Sequence, residues 1–556
     1  MYILAIHGDT NANITVYKNE QLLFSIAEER LTRIRHKAGY PEKTIAFIFS
    51  YLGIGWEDLG AVIYGNRYHI ASSILGRKFP TYEHSFLGPA QNAQLIYHHL
   101  LWKNHLFRNS IGALNKKILE LKLNKKIEFY DHHVSHAYAA YMTSGLEEAT
   151  VIVIDNFGDG LSSSVFSGKN SSCKFIYGSS ALNSPGQFYG EIAQLLGFHP
   201  LFAGKVTALA AFGNPQKPYS IVKKLFGLRE DKKDFKVVPI LSRMLNSGLY
   251  RQLMKFNKED VAAAIQKRFE EILLDYVREA IRTTNCAYLA LSGGVFANVK
   301  LNQRIKEMKE VKEVFVHPAM DDQGISLGAA LAYQAKNDHL RPYRLKDVFF
   351  GIDFEKDNIE TELKNEGLTY DFYSNIDEQT ALLLSKGCIV ARFTGRMEYG
   401  PRALGNRSIL YQTTDLTANL CLNKKLARND FMPFAPVTLE EEAGMCYKDL
   451  EKARYTAKFM TITFDCTERM KTLSPGAVHI DGTARPQLLS KNDDPSFYRL
   501  LETYHRLTGI PSLLNTSFNI HGEPIVSSPE DAIKTFKMTD IDYLAIGPFL
   551  VRKKES

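Results

Sequence analysis

The sequence predicts a multidomain α/β protein, and three observations carry that prediction. The chain has 556 residues, more than one hydrophobic core covers, so two to four domains are expected. Apolar runs of strand length stop at glycine-rich or polar turns, at YILAI (2–6), VIVID (151–155) and AYLAL (287–291). Strand-like VKEVFV (311–316) is followed by an acidic turn and an alanine-rich helical stretch, ISLGAALAYQA (325–335).

The elements follow in order. YILAI is the first strand, HGDTNAN (7–13) the turn, and ITVYKNEQLLFSIAEE (14–29) one or two returning strands. Actin-like ATPases present a phosphate-gripping hairpin in this way. The pattern recurs at 149–168, where VIVID leads through NFGDG into LSSSVF. Two such hairpins predict a duplication at the level of structure. Strand AYLAL then runs into SGG and a helix, and backbone N–H groups at a glycine turn before a helix suit a nucleotide or phosphate. The polar, proline-bearing segment 336–347 is the expected domain boundary.

Composition excludes several classes. Apolar residues make up 45% and charged residues 23%, as in soluble globular proteins. The net charge of +7 is spread along the chain and forms no nucleic-acid arm. Cys173, Cys286, Cys388, Cys421, Cys446 and Cys466 are scattered without a CxxC, which predicts buried thiols in a reducing cytoplasm. The N-terminus lacks the basic region and cleavage site of a signal peptide, and no apolar run is long enough to span a bilayer.

DHHVSHAYAAY (131–141) follows the strand-like KKIEFY and packs three histidines into five positions. His132 and His136 are spaced i, i+4, so on a helix they share one face. Two imidazoles need carboxylates to complete a metal site, and Asp155 and Asp322 are the candidates. Such a set suits ferrous iron or another divalent transition metal. A pair of structural histidines satisfied by hydrogen bonds is the alternative. The HExxH protease pattern fails, because no glutamate follows His132.

Nine segments occur in a fixed order: EERLTRIRHKAGYP, HHVSH, IDNFGDG, LSGGVFAN, DDQGISLGAAL, ARFTGRMEYGPRALGNRSIL, LNKKLARNDFMPFAP, HIDGTARPQ and PSLLNTSFNIHGEPIV. Together they resemble the O-carbamoyltransferase family of nodulation-factor and antibiotic biosynthesis, the NodU/CmcH type. The resemblance implies an actin-like, duplicated ribonuclease-H-like domain over 1–340, related to the tRNA threonylcarbamoyl transferase. It implies a YrdC-like α/β domain over 348–556. The second domain would make carbamoyl adenylate from carbamoyl phosphate and ATP with magnesium. The first would pass the carbamoyl group to a hydroxylated small-molecule acceptor and release AMP.

The resemblance also assigns residues. His132, His136, Asp155 and Asp322 fall on the metal positions, with Fe(II) the implied ion, and His132, His136 and Arg402 on catalytic ones. Ser292, Gly293, Gly294, Asn298, Asp155 and Gly158 fall on nucleotide contacts. Arg396, Arg402, Arg407, Lys424, Arg428, Arg485, Asn515 and Ser517 form the expected carbamoyl phosphate set, since arginine forks bind phosphate bidentately. Asn515 and Ser517 suit either the carbamoyl amide or the phosphate.

The chain departs from its relatives at HGDTNAN, which displaces His7 and Asp9 from the usual His-Asp pair, at LARNDFMPFAP, and at Thr207 and Ala208 of GKVTALAAFG. The roles of Lys424 and Lys425 stay open there. Segment 65–110, aromatic and histidine-bearing, is the expected acceptor pocket. No nucleic acid and no membrane are expected as partners, and a homodimer is. Three alternatives stay open: a tRNA threonylcarbamoylation-type enzyme, a non-catalytic actin-like nucleotide-binding protein, and a sugar kinase releasing ADP.

Overall fold

A computed structural model of the chain describes residues 1–68, 97, 100–101, 103–238, 248–426 and 434–553. The chain divides into two compact units, one of residues 1–28 and 36–344, the other of residues 29–35 and 345–556.

The first unit holds two five-stranded sheets of one topology. β1 (Tyr2–His7), β2 (Asn13–Lys18) and β3 (Gln21–Ala27) form an antiparallel meander, and β4 (Leu59–Tyr64) and β5 (Ile127–Phe129) extend it in parallel on the β1 side. The sheet order is β3-β2-β1-β4-β5. β6 (Glu148–Gly158), β7 (Leu161–Lys169) and β8 (Ser172–Ser180) repeat the meander. After a small hairpin, β9 (Phe226–Leu228) with β10 (Phe235–Val237), strands β11 (Tyr288–Ser292) and β12 (Glu313–Val316) complete the order β8-β7-β6-β11-β12. This is the duplicated, actin-like α/β architecture that the two hairpins predict.

The inner strands read as apolar runs because both faces are covered. Val151 to Ile154 of β6 and Leu289 to Leu291 of β11 are fully buried. The layers are crossed between the halves. Helix His132–Ser144 follows β5 but packs on the second sheet, and helix Ile325–Asn337 follows β12 but packs on the first. The two helices pack on each other.

The second unit is an α/β domain on a mixed eight-stranded sheet. Its strands are β13 (Tyr370–Phe372), β14 (Val390–Phe393), β15 (Arg407–Gln412), β16 (Ala435–Leu439), β19 (Gln487–Leu489), β20 (Ser512–Ser517), β21 (Tyr543–Ile546) and β22 (Phe549–Arg552). Their order is β13-β22-β21-β14-β15-β20-β16-β19, and the short β17 (Phe464–Asp465) and β18 (Thr483–Ala484) pair apart. Helices Ile376–Ser385 and Pro495–Thr508 bury Leu384, Phe497, Leu500, Leu501 and Tyr504 against Val390, Leu410, Val437 and Leu513.

Residues 29–35 belong to this unit, which the boundary at 336–347 did not foresee. Arg30 donates to the Gly400 carbonyl at 2.8 Å. Arg33 donates to the Ile525 and Pro524 carbonyls at 2.6 and 2.8 Å and lies 3.3 Å from Asp531. The cysteines also differ from expectation: only Cys446 and Cys466 are buried, and the other four are partly exposed. Among the described residues no helix is long and apolar enough to cross a membrane.

Candidate metal centre

The histidine cluster stands on the first turn of helix His132–Ser144. That turn is held from outside the helix: the His132 N–H donates to Oδ2 of Asp159 at 2.7 Å. Asp159 sits in the β6–β7 turn at φ +50° and also accepts the N–H groups of Arg67 and Tyr68, each at 3.1 Å. One buried carboxylate therefore ties the end of β4, the histidine helix and the second hairpin together. The sequence reading missed Asp159, although its place in a recurring strand–turn–strand unit was a usable signal.

His132 and His136 point to one side, as their spacing predicts. Nε2 of His132 lies 3.1 Å from Oδ2 of Asp155 and 3.6 Å from Oδ1 of Asp322. Nε2 of His136 lies 3.6 and 3.5 Å from the same two oxygens. All four donor atoms fall within 4.8 Å of one another. An ion bound at about 2.1 Å sets neighbouring ligand atoms about 3.0 to 3.4 Å apart, close to these spacings. The two imidazoles and Asp155 are buried, while the Asp322 side chain is 19% exposed and marks the mouth.

Each ligand is placed by a local device. Asp155 turns inward where the β6–β7 ladder breaks, between Ile154 and Gly158, and its Oδ1 accepts the Gly294 N–H at 3.0 Å. Gly158 leaves room for the His132 ring, which a Cβ there would meet at 2.2 Å. Gly293, at φ +101°, lies against the Ile154 backbone, where a Cβ would come within 2.3 Å of the carbonyl oxygen. Asp322 is presented by the short turn Asp322–Gly324, whose preceding Asp321 accepts the Gln323 N–H.

Electrostatics set the charge of the cluster. Burial alone would lower His132, but the Asp155 hydrogen bond and the Asp322 charge hold it above the usual imidazole range. Burial opposes ionisation of Asp155, and the two imidazoles overcome it and hold that carboxyl well below its usual range. Burial and then the Asp155 charge push Asp322 well up. Two carboxylates facing two imidazoles in a buried space fit a divalent transition metal, whose charge relieves the carboxylate repulsion.

His133 is not part of the set: its Nδ1 meets the Ser164 hydroxyl at 2.8 Å, and burial holds it well below the imidazole range. His7 is wholly buried with its ring edge-on to His132, and burial takes its pKa down to about 3. Its Nε2 donates to the Thr10 carbonyl at 3.1 Å, which leaves Nδ1 without a protein partner.

Two residues of the expected nucleotide set have partners within the protein. No α-helix follows SGG directly: a single 3-10 turn, Gly294–Ala297, intervenes, and helix Val299–Glu307 starts later. Asn298 caps that helix, accepting the Leu301 N–H, and exchanges hydrogen bonds with Gln266. Ser292 turns its hydroxyl toward Nδ1 of His136 at 3.1 Å and donates to the Met320 carbonyl at 3.3 Å.

The arginine-rich loop of the second unit wraps a carboxylate. Oε1 of Glu398 accepts the N–H groups of Leu404, Asn406 and Arg407 at 2.8, 2.8 and 3.1 Å. Arg407 is a correction to the phosphate set. Its guanidinium is fully buried and donates to the carbonyls of Thr394, Gly395, Asn406 and Ile352. It stacks on Phe393, and burial lowers its pKa to about 10. Arg396 donates to the Gly351 carbonyl.

Arg402 and Arg485 are both half-buried and close enough to feel each other's charge. Arg485 is partly buried, and burial followed by the Arg402 charge holds it well below the usual guanidinium range. Asn515 is buried beside the same loop, and Ser517 ends β20 partly exposed. Lys424 is exposed at the end of helix Ala418–Lys425, while Lys425 pairs with Asp542 at 2.8 Å. Arg428 and most of segment 65–110 lie outside the described residues. The described edge of that segment lines a cavity of about 570 Å³ with Arg67, Asn109, Lys116, Glu128 and Lys336.

Comparison with known proteins adds to this geometry. The family model described as carbamoyltransferase N-terminus matches residues 3–331, and the one described as carbamoyltransferase C-terminus matches residues 381–553. The chain is 30% identical over 549 residues to nodulation protein NolNO of Sinorhizobium fredii, covering 97% of this chain and 78% of that protein. It is 27% identical over 357 residues to 3'-hydroxymethylcephem-O-carbamoyltransferase of Streptomyces clavuligerus, covering 63% of this chain and 65% of that one. Full-length HypF in its phosphate- and nucleotide-bound form is similar over 60% of this chain and 56% of its own, at 15% identity and a TM-score of 0.38.

Proposed function

Because the chain belongs to the carbamoyltransferase family, as an enzyme of the NodU/CmcH type, we propose that it is an ATP-dependent O-carbamoyltransferase working through carbamoyl adenylate. Carbamoyl phosphate, ATP and water balance to carbamoyl adenylate, phosphate and pyrophosphate. The acceptor hydroxyl then attacks the carbamoyl carbon, AMP leaves, and the hydroxyl proton passes to a base. The substrates are carbamoyl phosphate, magnesium ATP and a hydroxylated small molecule.

The observation that carries this proposal is the four-donor cluster of His132, His136, Asp155 and Asp322. Structural stability of a duplicated α/β unit does not require a buried and a half-buried carboxylate against two buried imidazoles. A bound divalent ion, Fe(II) by family resemblance, would supply a Lewis acid that stabilises charge on the departing adenylate. The protein's own part is to keep both imidazoles oriented, through Ser292 at His136 and through Asp159 at the backbone of His132. Gly158 leaves the space that the His132 ring fills, and Gly293 lets its turn lie against the Ile154 backbone next to Asp155.

In the second unit, Arg402 and Arg485 hold phosphate and offset charge as it leaves. Glu398 shapes the loop that presents Arg402.

The test is an incubation of purified protein with magnesium ATP and carbamoyl phosphate without acceptor, read for pyrophosphate, AMP and ADP. Pyrophosphate formation with slow AMP release supports the adenylate route. ADP as the product overturns it in favour of a kinase. No turnover, even after addition of pooled hydroxylated metabolites, overturns catalysis of this kind.

A further inference from the structure

The segment 29–35 is an excursion of the chain. Residues on both sides of it belong to the first unit, and the segment itself belongs to the second. Both of its ends are fixed. At the start, the Glu28 N–H donates to the Ala12 carbonyl at 2.7 Å. The Glu28 carboxylate accepts the Thr44 N–H at 2.8 Å and the Thr44 hydroxyl at 2.6 Å. At the end, Nδ1 of His36 meets Oδ1 of Asn11 at 2.8 Å, and the Ala12 N–H donates to the Lys37 carbonyl at 2.9 Å. The excursion therefore leaves from and returns to one turn, at 11–12, and the short helix Glu28–Thr32 carries Arg30 from a rooted base.

Arg30 reaches the arginine-rich loop. The residue is 3% exposed, its guanidinium lies 3.5 Å from the Glu29 carboxylate, and it donates to the Gly400 carbonyl at 2.8 Å. A buried ion pair adds little stability, but it fixes the direction of its donors. Gly400 stands at φ +91°, two residues before Arg402, and Pro401 between them has no N–H with which to anchor the chain. Beyond Arg402 the loop is held by Glu398, at the N–H groups of Leu404, Asn406 and Arg407. Before it, the Tyr399 N–H donates to the Val348 carbonyl at 2.7 Å, and Arg30 holds the carbonyl of the next residue. Arg33, on the same segment, is bound differently: it meets the Pro524 and Ile525 carbonyls and Asp531.

We propose that Arg30 is a positioning residue for the carbamoyl phosphate step: it sets the Gly400 peptide and, through it, the direction in which Arg402 meets the phosphate. This rests on the assignment of carbamoyl phosphate binding to the second unit. The two arginines of the segment then have separate tasks. Arg33 roots the segment on its unit, and Arg30 orients a loop that lies 370 residues further along the chain.

The experiment is single-turnover pyrophosphate formation by the full-length chain with magnesium ATP, carbamoyl phosphate being varied, for wild type, Arg30→Met, Arg30→Lys and Arg33→Met, each beside a thermal melt. Arg30→Met keeps the apolar stem and loses the charge and the donors. It is expected to raise the half-saturating carbamoyl phosphate concentration by about tenfold, the effect of one displaced charge-assisted contact, and to leave that of ATP as it was. Arg30→Lys retains a charge and one donor on a shorter reach and should raise it about threefold. Arg33→Met should lower the melt and leave carbamoyl phosphate saturation unchanged. If Arg30→Met lowers the melt with saturation unmoved, or Arg33→Met shifts saturation as far as Arg30→Met does, Arg30 only roots the segment and the proposal falls. If Arg30→Met fails to fold, Arg30→Lys decides: a wild-type half-saturation overturns the proposal. If wild type itself forms no pyrophosphate, the functional reading fails and takes the proposal with it, a result distinct from wild-type turnover that Arg30 does not influence.

Discussion

Nδ1 of His136 lies 3.1 Å from the Ser292 hydroxyl, which itself lies 3.3 Å from the Met320 carbonyl and donates to it. A hydroxyl has one proton, and here it is committed to Met320. Ser292 therefore accepts from Nδ1–H, and the ring keeps its Nε2 lone pair toward Asp155 and Asp322. That tautomer is the one a metal ligand needs.

Ser292→Ala should accordingly weaken metal binding while leaving the fold in place. Outer hydrogen bonds of this kind are worth about 10- to 100-fold in metal affinity. Titration of metal-free protein with cobalt(II), followed by its visible absorption bands, measures the change. An unaltered affinity would show that the tautomer is set elsewhere.

The contrast between Ser292 and its neighbours shows what the sequence made legible. The two hairpins, the i, i+4 histidine pair and the acidic turn were readable because each is encoded in one short continuous stretch of the chain. Asp155 and Asp322 could be named as candidates, but their meeting depends on a broken ladder in β6 and on strand order. Asn298 and Arg407 carried family motifs, yet one caps a helix and the other is buried among carbonyls. Nothing local separates an arginine that binds backbone from one that binds phosphate. The placement of 29–35 in the second unit rests on contacts to Gly400, Pro524 and Ile525, hundreds of residues away.

Acid stability should follow the buried imidazoles. Burial takes the His317 pKa down to about 3, and its Nδ1 meets the Thr143 hydroxyl at 3.0 Å. Between about 6.5, the unfolded value, and 3, the unfolded chain binds a proton that the folded one does not. The contribution is complete above that window and is lost as pH falls through it, at up to about 1.4 kcal/mol per pH unit. His317→Leu should cost about 1–2 kcal/mol at neutral pH through the lost hydrogen bond. It should also flatten the acid limb by one proton. Urea unfolding across that range gives the slope, and His7, also near 3, keeps the limb from vanishing.

Arg407 makes the opposite claim to Arg402. Its guanidinium lies 3.7 Å from the Phe393 ring centre and serves four carbonyls, a geometry that a lysine ammonium does not reproduce. Arg407→Lys should destabilise the protein by about 2–4 kcal/mol. Carbamoyl phosphate affinity of the folded fraction should stay as it was. A thermal melt beside a binding titration separates these effects. Lost affinity with an unchanged melt would return Arg407 to the phosphate site.

The two chemical steps should come apart by mutation. His136 is fully buried in the first unit and Arg402 stands on the loop of the second, so each substitution removes one function's ligand. His136→Ala should lose the metal and the transfer to acceptor while still forming pyrophosphate from magnesium ATP and carbamoyl phosphate. Arg402→Ala should bind metal normally but form no pyrophosphate. Losing a charge-assisted phosphate contact costs about 1.5–3 kcal/mol, or roughly 10- to 100-fold in carbamoyl phosphate affinity. Carbamoyl adenylate supplied from outside should restore transfer in Arg402→Ala and not in His136→Ala. If both folded variants lose both steps to the same extent, the chemistry is not divided between the units.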